Sequence, residues 1–229
     1  MMLFHFMRSS QSPVGILRMH TTGKNQVMSE PDFYLTIEKP STAEFKDRGS
    51  KFIAFVFPIT TAGDCKKQVQ LLKKEHPKAV HHCFAYRIGT DGNNFRSTDD
   101  GEPSGTAGKP ILGQIDSKGL TNIAVVVVRY WGGTLLGVPG LINAYKTAAS
   151  LALQITPAVE KQVVINYTIE FDYTQMNEVM MVMKQFNCTI NSSEMQLFCV
   201  IKAGIPKNRF EEVLNRLHDL QSVTLKKIG

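Results

Sequence analysis

The sequence predicts an α+β protein in two parts, and three observations lead there. Ile123-Ala-Val-Val-Val-Val128 is apolar at every position, as a central strand covered on both faces should be. Residues 61–76 form an amphipathic helix pattern between two strand-like segments rich in aromatic and branched residues. From Val159 onward short strands and helices alternate as βαββαβ. The chain has 229 residues, 43% hydrophobic and 20% charged, too rich in Val, Ile, Leu and Phe for disorder. Its longest apolar run stops at Arg129, well short of the ~20 residues a membrane helix needs, which argues against a membrane protein. Four scattered cysteines without a CxxC pair argue against a disulfide scaffold and a structural zinc site, and suit reduced thiols. A soluble, cytoplasmic protein is expected.

Residues 1–30 lack the apolar core and cleavage site of a signal peptide and are taken as a poorly ordered extension outside the fold. Met28 is an alternative start, because Asp32-Phe-Tyr-Leu-Thr-Ile37 begins strand-like structure directly after it. Lys51-Phe-Ile-Ala-Phe-Val-Phe57 is a strand closed by Pro58. In the helix that follows, Thr61 and Asp64 have capping-box spacing, Cys65, Val69 and Leu72 share a face, and His76-Pro77 ends the segment. Its other face carries Lys66, Lys67, Lys73 and Lys74, a stripe that suits solvent or phosphate. His82-Cys-Phe-Ala-Tyr-Arg-Ile88 is a second strand, ended by the turn Gly89-Thr-Asp-Gly92. The stretch from Phe95 to Pro110 has no clear periodicity. After the apolar strand, Pro139 suits the first turn of a helix whose Leu141, Tyr145, Ala148 and Ala152 share a face.

Pro157 marks a boundary. Beyond it the pattern predicts strand 162–171, helix 174–186, strands 188–192 and 195–203, helix 206–218 and strand 221–227. This is the ferredoxin-like arrangement, two helices on one face of an antiparallel sheet. The chain therefore divides into the extension 1–30, a first domain 31–157 and a second domain 158–229. Residues 31–157 hold 15 Lys and Arg against 11 Asp and Glu, whereas residues 158–229 hold eight of each. The positive excess in the first domain permits nucleic-acid binding and is also an ordinary solubility charge.

Two segments carry candidate chemistry. From Arg96 to Lys109 the chain sets Arg96, Asp99, Asp100, Glu102 and Lys109 among Ser97, Ser104, Thr106 and the glycines at 101, 105 and 108. Glycines let a backbone approach a ligand closely, and consecutive N–H groups over Ser104–Gly108, just before a helix, can form an anion-binding nest. The spacing is not that of a Walker loop, since Gly108-Lys109 is followed by proline. Two other readings of the acidic trio stay open: a turn in which Asp99 and Asp100 cap local N–H groups, and a metal or acid–base site. No complete ligand set or nucleophile–base pair is visible, so no catalytic residue, metal or cofactor is assigned. The second segment, Arg129-Tyr-Trp-Gly-Gly-Thr-Leu-Leu-Gly137, leaves the apolar strand at the sheet edge. There Arg129 suits a pair with Asp99, Asp100 or Glu102, or a ligand phosphate, and Tyr130 and Trp131 suit base stacking or the core. His81 and His82 have no obvious serine or cysteine partner and are taken as structural.

At these segments the sequence resembles the YigZ/IMPACT family. His82-Cys-Phe-Ala-Tyr-Arg87, Arg96-Ser-Thr-Asp-Asp-Gly-Glu-Pro-Ser-Gly-Thr-Ala-Gly108 and Val126-Val-Val-Arg-Tyr-Trp-Gly-Gly133 look like its hallmark motifs, in its order. The likeness covers about residues 33–155, and the remainder is similar to the C-terminal domain of the bacterial YigZ branch. It implies a first domain with the βαβ fold shared by a ribosomal protein and domain IV of elongation factor G. It also implies contact with RNA or the ribosome. Eukaryotic members restrain a kinase that senses uncharged tRNA, but they carry an RWD domain that thirty residues cannot hold, so that role is not carried over. Where the family has Gly-x-Gly-Gly-Leu, this chain has Gly137-Val-Pro-Gly-Leu141, which stiffens the start of the helix.

The leading expectation is a non-enzymatic RNA-binding or ribosome-associated protein linked to translation regulation. Arg96, Lys109 and Arg129 would contact phosphates with help from the 104–108 backbone, His82 and the Gly132-Gly133 turn would complete the cleft, and Tyr130 or Trp131 would stack. One alternative is a small-molecule or metal-dependent hydrolytic enzyme using Asp99, Asp100 and Glu102. Another is a protein-binding adaptor acting through the second domain, which carries no net charge.

Overall fold

The computed structural model describes residues 31–228; the extension expected over 1–30 lies outside the described residues. Eleven strands and five helices follow in chain order among them. They are β1 (Phe33–Ile37), β2 (Ser41–Asp47), β3 (Ser50–Pro58), α1 (Ala62–Glu75), β4 (His81–Ile88), β5 (Asn94–Thr98), α2 (Gly108–Ser117), β6 (Ile123–Tyr130) and α3 (Gly137–Gln154). Then come β7 (Ala158–Gln162), β8 (Val164–Asp172), α4 (Met176–Gln185), β9 (Thr189–Met195), β10 (Phe198–Pro206), α5 (Phe210–His218) and β11 (Val223–Lys227). The protein is α+β, with antiparallel sheets throughout.

The first sheet has the order β2-β3-β6-β4-β5, and each neighbouring pair is antiparallel. β3 and β4 flank β6 and so run parallel to each other, joined by α1. That helix starts as its sequence dictates. Asp64 N–H donates to Thr61 Oγ1 at 3.1 Å, and Thr61 N–H donates to Asp64 Oδ2 at 2.9 Å, a reciprocal capping box. Its buried face, Cys65, Val69 and Leu72, packs on Ala124, Val126 and Val128. α2 and α3 cover the opposite face, where Ile111, Ile115, Leu141 and Tyr145 meet Phe52, Cys83, Val125 and Val127. β6 is therefore buried on both sides from Ile123 to Arg129, and each of its Val side chains gains roughly 1.5–3 kcal/mol by leaving water.

The second half runs β8-α4-β9-β10-α5-β11, with strand order β11-β8-β10-β9 and a separate core of Ile169, Phe171, Val179, Met183, Ile201, Val213 and Leu217. The strand expected over 162–171 is β8, and β7, which the sequence did not signal, precedes it. Val163 N–H donates to Asp32 O at 2.8 Å, and there the chain turns from pairing with β1 to pairing with β10. β7 thus pairs with β1, the first strand of the described residues, and Thr121 N–H donates to Leu35 O at 2.9 Å to fix β1 on the first half. β2 and β5 are edge strands without an apolar run, which is why the 94–98 stretch shows no periodicity in sequence.

Candidate nucleic-acid interface

The loop from Asp99 to Ala107 closes on itself. Asp99 turns its carboxylate inward, where Oδ1 accepts from Ala107 N–H at 3.0 Å and Gly108 N–H at 2.8 Å, and Oδ2 accepts from Gly105 N–H at 2.9 Å. Burial alone would raise the Asp99 pKa, but the three donors together hold its carboxyl below the ordinary value. A carboxylate at the N-terminus of α2 also complements the helix dipole and caps a helix whose own N-cap, Ala107, offers no side-chain acceptor. The anion-binding nest expected over Ser104–Gly108 exists, and its guest is Asp99. Gly108 is required for a second reason: a Cβ there would lie 2.6 Å from the backbone nitrogen of Thr98, so the helix could not sit against β5. Thr106 turns its hydroxyl to Pro103 O at 2.7 Å.

Arg129 is likewise spoken for. It is 6% exposed and donates from Nη1 to Glu102 Oε1 at 2.6 Å, while Tyr145 donates to the same oxygen at 2.7 Å and the Arg129 guanidinium sits 5.5 Å from the centre of the Phe52 ring. Burial first, then the neighbouring Cys83 and Glu102, push the Tyr145 phenol up, so it is a fixed donor. Cys83, also pushed up by burial, donates to Asp99 O at 2.8 Å and ties this cluster to the acidic loop. The expectation of a cleft in which Arg129 and the 104–108 backbone jointly receive a phosphate is thereby corrected: the protein's own Glu102 and Asp99 fill both positions. A dry, sheet-covered site makes an unpaired guanidinium too costly, so the chain supplies its own counterion.

Asp100 has φ +46 and binds outward, accepting from His82 N–H at 2.7 Å and from Lys73 Nζ at 3.0 Å. The three carboxylates thus face three separate partner sets rather than one metal or substrate position. His82 is 6% exposed on the α1 side of the sheet, where burial and then Lys73 lower its pKa and its Nε2 has no partner among the described residues; its expected part in the cleft is corrected to a neutral core role. Tyr130 is half-buried, its hydroxyl 2.8 Å from His76 Nδ1 and its ring under Lys51 Nζ at 5.2 Å, so it packs instead of presenting a stacking face. Trp131 is 58% exposed. Gly132 clamps the backbone behind it, since a Cβ there would fall 1.9 Å from the carbonyl carbon of Gly49; Gly133 turns with φ +85.

Arg96, Ser104 and Lys109 are at the surface and Ser97 is half-buried. Arg96 stands opposite Tyr86 across β4 and β5 and walls a groove of about 630 Å³ between α1 and the sheet. Lys66, Lys73, Phe84 and Tyr86 complete that wall, and no carboxylate lines it. Lys66 and Arg96 form no ion pair among the described residues, and the Arg96 charge counteracts the burial that lifts the Cys65 thiol to about 11. His81, expected to be structural, and Tyr145, expected on the shared face of its helix, enter the site through Asp100 O and Glu102 Oε1, contacts the sequence did not signal. Adjacent residues of a strand face opposite sides, so His81 and His82 must part, and the register that sets His81 against Arg129 is the signal that separates them.

Among the described residues no helix is long and apolar enough to cross a membrane. Residues 48–153 match the Impact N-terminal domain. The chain is 33% identical over 189 residues to the IMPACT family member YigZ of Escherichia coli (strain K12), covering 82% of this chain and 93% of that protein. It is 35% identical over 146 residues to the IMPACT family member YvyE of Bacillus subtilis (strain 168), covering 64% and 67%. With the Protein IMPACT homolog of Saccharomyces cerevisiae (strain ATCC 204508 / S288c) it shares 38% over 96 residues, 40% of this chain and 36% of that one. A crystal structure described as that of a hypothetical protein superposes with a TM-score of 0.69 at 32% identity, covering 87% of this chain and 98% of the other. A relative that matches over nearly its whole length at this identity, together with the domain match across the acidic loop and the central strand, leads to one conclusion: the chain belongs to the IMPACT family.

Proposed function

We propose that this protein binds single-stranded RNA in connection with translation, and that the groove between α1 and the β4–β5 edge receives the strand. The observation that carries the reading is the composition of that groove: Lys66, Arg96 and the Asp100-paired Lys73 line it together with half-buried Phe84 and buried Tyr86, and no carboxylate is in the lining. Cations that track a backbone beside aromatic side chains are what a single strand requires. On this reading residues 31–157 are a domain of the kind found in domain IV of elongation factor G, and the β8–β11 half is ferredoxin-like. The pairing of β7 with β1 supports ending the first domain near Val163 instead of Pro157.

The test is binding of a labelled single-stranded RNA measured by fluorescence anisotropy at several salt concentrations. Three phosphate contacts give a slope of log K against log salt of about −2, from ~0.7 per contact on single strands. Arg96→Ala should weaken binding to all sequences alike and make the slope shallower by about 0.7. Binding that ignores salt, or an Arg96→Ala protein that binds as the parent does, refutes the groove as the RNA site.

A further inference from the structure

On the other face of the same corner, Val80, His81, Arg129, Trp131 and Leu135 line an open surface cavity of about 350 Å³, near the lower end of the range for small-ligand sites. We propose that this cavity takes one nucleobase, with Trp131 as the stacking plate and Arg129 and His81 addressing the base edge. The proposal rests on the RNA reading above and adds a base subsite to it.

The polar groups at the cavity are set by the fold. His81 Nδ1 lies 2.8 Å from Asp100 O, and a carbonyl only accepts, so the proton of the neutral ring is on Nδ1 and Nε2 carries the lone pair. Nε2 stands 3.8 Å from Glu102 Oε1, beyond hydrogen-bond reach, and is an unused acceptor. Arg129 spends Nη1 on Glu102, and its buried Nε has no partner among the described residues. A guanidinium has five donors, so Arg129 retains N–H groups beyond those its counterion takes. A donor and an acceptor therefore sit side by side, on residues that the strand register holds opposite each other.

The walls are apolar and open. Val80 is 50%, Trp131 58% and Leu135 84% exposed, although the backbone around Trp131 is clamped by the Gly132–Gly49 approach. An exposed indole on a clamped backbone presents a π-face to an incoming ring. Every nucleobase offers a flat face and an edge where an acceptor adjoins a donor, and single-stranded RNA is read through such stacking and edge contacts. A phenylalanine side chain or a lipid tail matches the walls and leaves the Arg129 and His81 groups unanswered. The groove and the cavity are also neighbours. Lys73 lines the groove and pairs with Asp100 Oδ1 at 3.0 Å, and Asp100 O holds His81 on the cavity side, so Asp100 touches a lining residue of each.

Trp131 is the only tryptophan of the chain, which makes its fluorescence a direct readout. Full-length protein is titrated with a single-stranded RNA hexamer, with an abasic hexamer of the same backbone, and with the four nucleoside monophosphates. Anisotropy of labelled oligomers is followed in parallel. The proposal expects both oligomers to bind but only the base-bearing one to quench Trp131. Trp131→Ala should bind the hexamer about tenfold more weakly and Trp131→Phe nearly as the parent does. RNA binding without quenching, or equal quenching by the abasic strand, overturns the base subsite and leaves the groove standing. Quenching by mononucleotides with no oligomer binding keeps the cavity as a site for free nucleotides and overturns the RNA reading. No quenching and no binding overturns both.

Discussion

Replacing Asp99 tests whether the glycine-rich loop is a structural cap or an anion site. Its carboxylate accepts three backbone N–H groups at 2.8 to 3.0 Å. Hydrogen bonds to a charged acceptor contribute roughly 1.5–3 kcal/mol each in isolation. The three here share one carboxylate, which is only partly buried, so their sum is discounted to about 3 kcal/mol for Asp99→Ala. Asn in its place keeps an oxygen toward Ala107 and Gly108 and turns an amide N–H₂ toward the Gly105 N–H, losing one bond and gaining a donor–donor contact. That variant should fall about 1–2 kcal/mol below the parent. Urea unfolding followed by circular dichroism measures both. If Asp99→Ala unfolds within ~0.5 kcal/mol of the parent, the capping argument fails. The same variant carries a second readout. A nest emptied of its own carboxylate should bind phosphate more tightly if phosphate were its natural guest, whereas a cap should simply loosen; we expect RNA affinity in the folded fraction to stay within twofold of the parent, about 0.4 kcal/mol.

Two further outcomes follow from the buried pair and the titrating groups. Glu102→Gln leaves Arg129 charged and uncompensated and should cost about 3–5 kcal/mol, whereas Glu102→Leu combined with Arg129→Met should recover most of that loss in a double-mutant cycle; equal losses in single and double variants would contradict the pairing. Acid should destabilise in two stages. His82 has a folded pKa below its ordinary 6.5, so its contribution is complete above that value and declines as pH falls below it. Asp99 has a folded pKa below its ordinary 3.8, so its contribution holds above that value and is lost as pH drops further. Urea midpoints between pH 8 and pH 3 check both, and His82→Phe should flatten only the upper stage.

The elements that sequence revealed are those whose signal is local. The Thr61–Asp64 box, the face of Cys65, Val69 and Leu72, and the apolar run at 123–128 each depend on neighbours within a turn or on burial of one strand, and each stands in the structure. β2 and β5 escaped notice because an edge strand needs no apolar run on its open side, and pairing with β3 and β4 is a long-range property. Within the site, the composition of residues 96–108 rightly indicated an anion and a nest meeting there, and the turn in which Asp99 caps local donors was among its readings. Nothing local distinguishes a phosphate from the Asp99 carboxylate as the anion. The choice between them is made by the reach of one side chain folded back across six to nine residues. The placement of His81 beside Arg129 was illegible for a related reason, since it comes from the β4–β6 register.

The self-contained loop changes where recognition must lie. A site that kept its nest and its arginine free would have to bury an unpaired charge whenever no ligand was bound, at a cost of several kcal/mol in a sheet-covered corner. Here Asp99 and Glu102 neutralise the interior. That fixes two rigid outer surfaces, one on each face of the sheet: the Lys66–Lys73–Arg96 groove and the wall bearing Trp131. The acidic residues of the motif then act as positioning residues. Asp99 sets the start of α2, Asp100 holds Lys73 on one side and His81 on the other, and Glu102 aims Arg129. It follows that Asp100→Asn should loosen the groove through Lys73 and leave the cavity in place, because the Asp100 backbone carbonyl holds His81, while Arg96→Ala affects only the phosphate contacts and Trp131→Ala only the stacking. An acidic loop in a protein with a positive excess is therefore the scaffold that spaces the cations: Asp99 and Glu102 spend their charge inside the fold, and Asp100 spends its own on Lys73 at the surface.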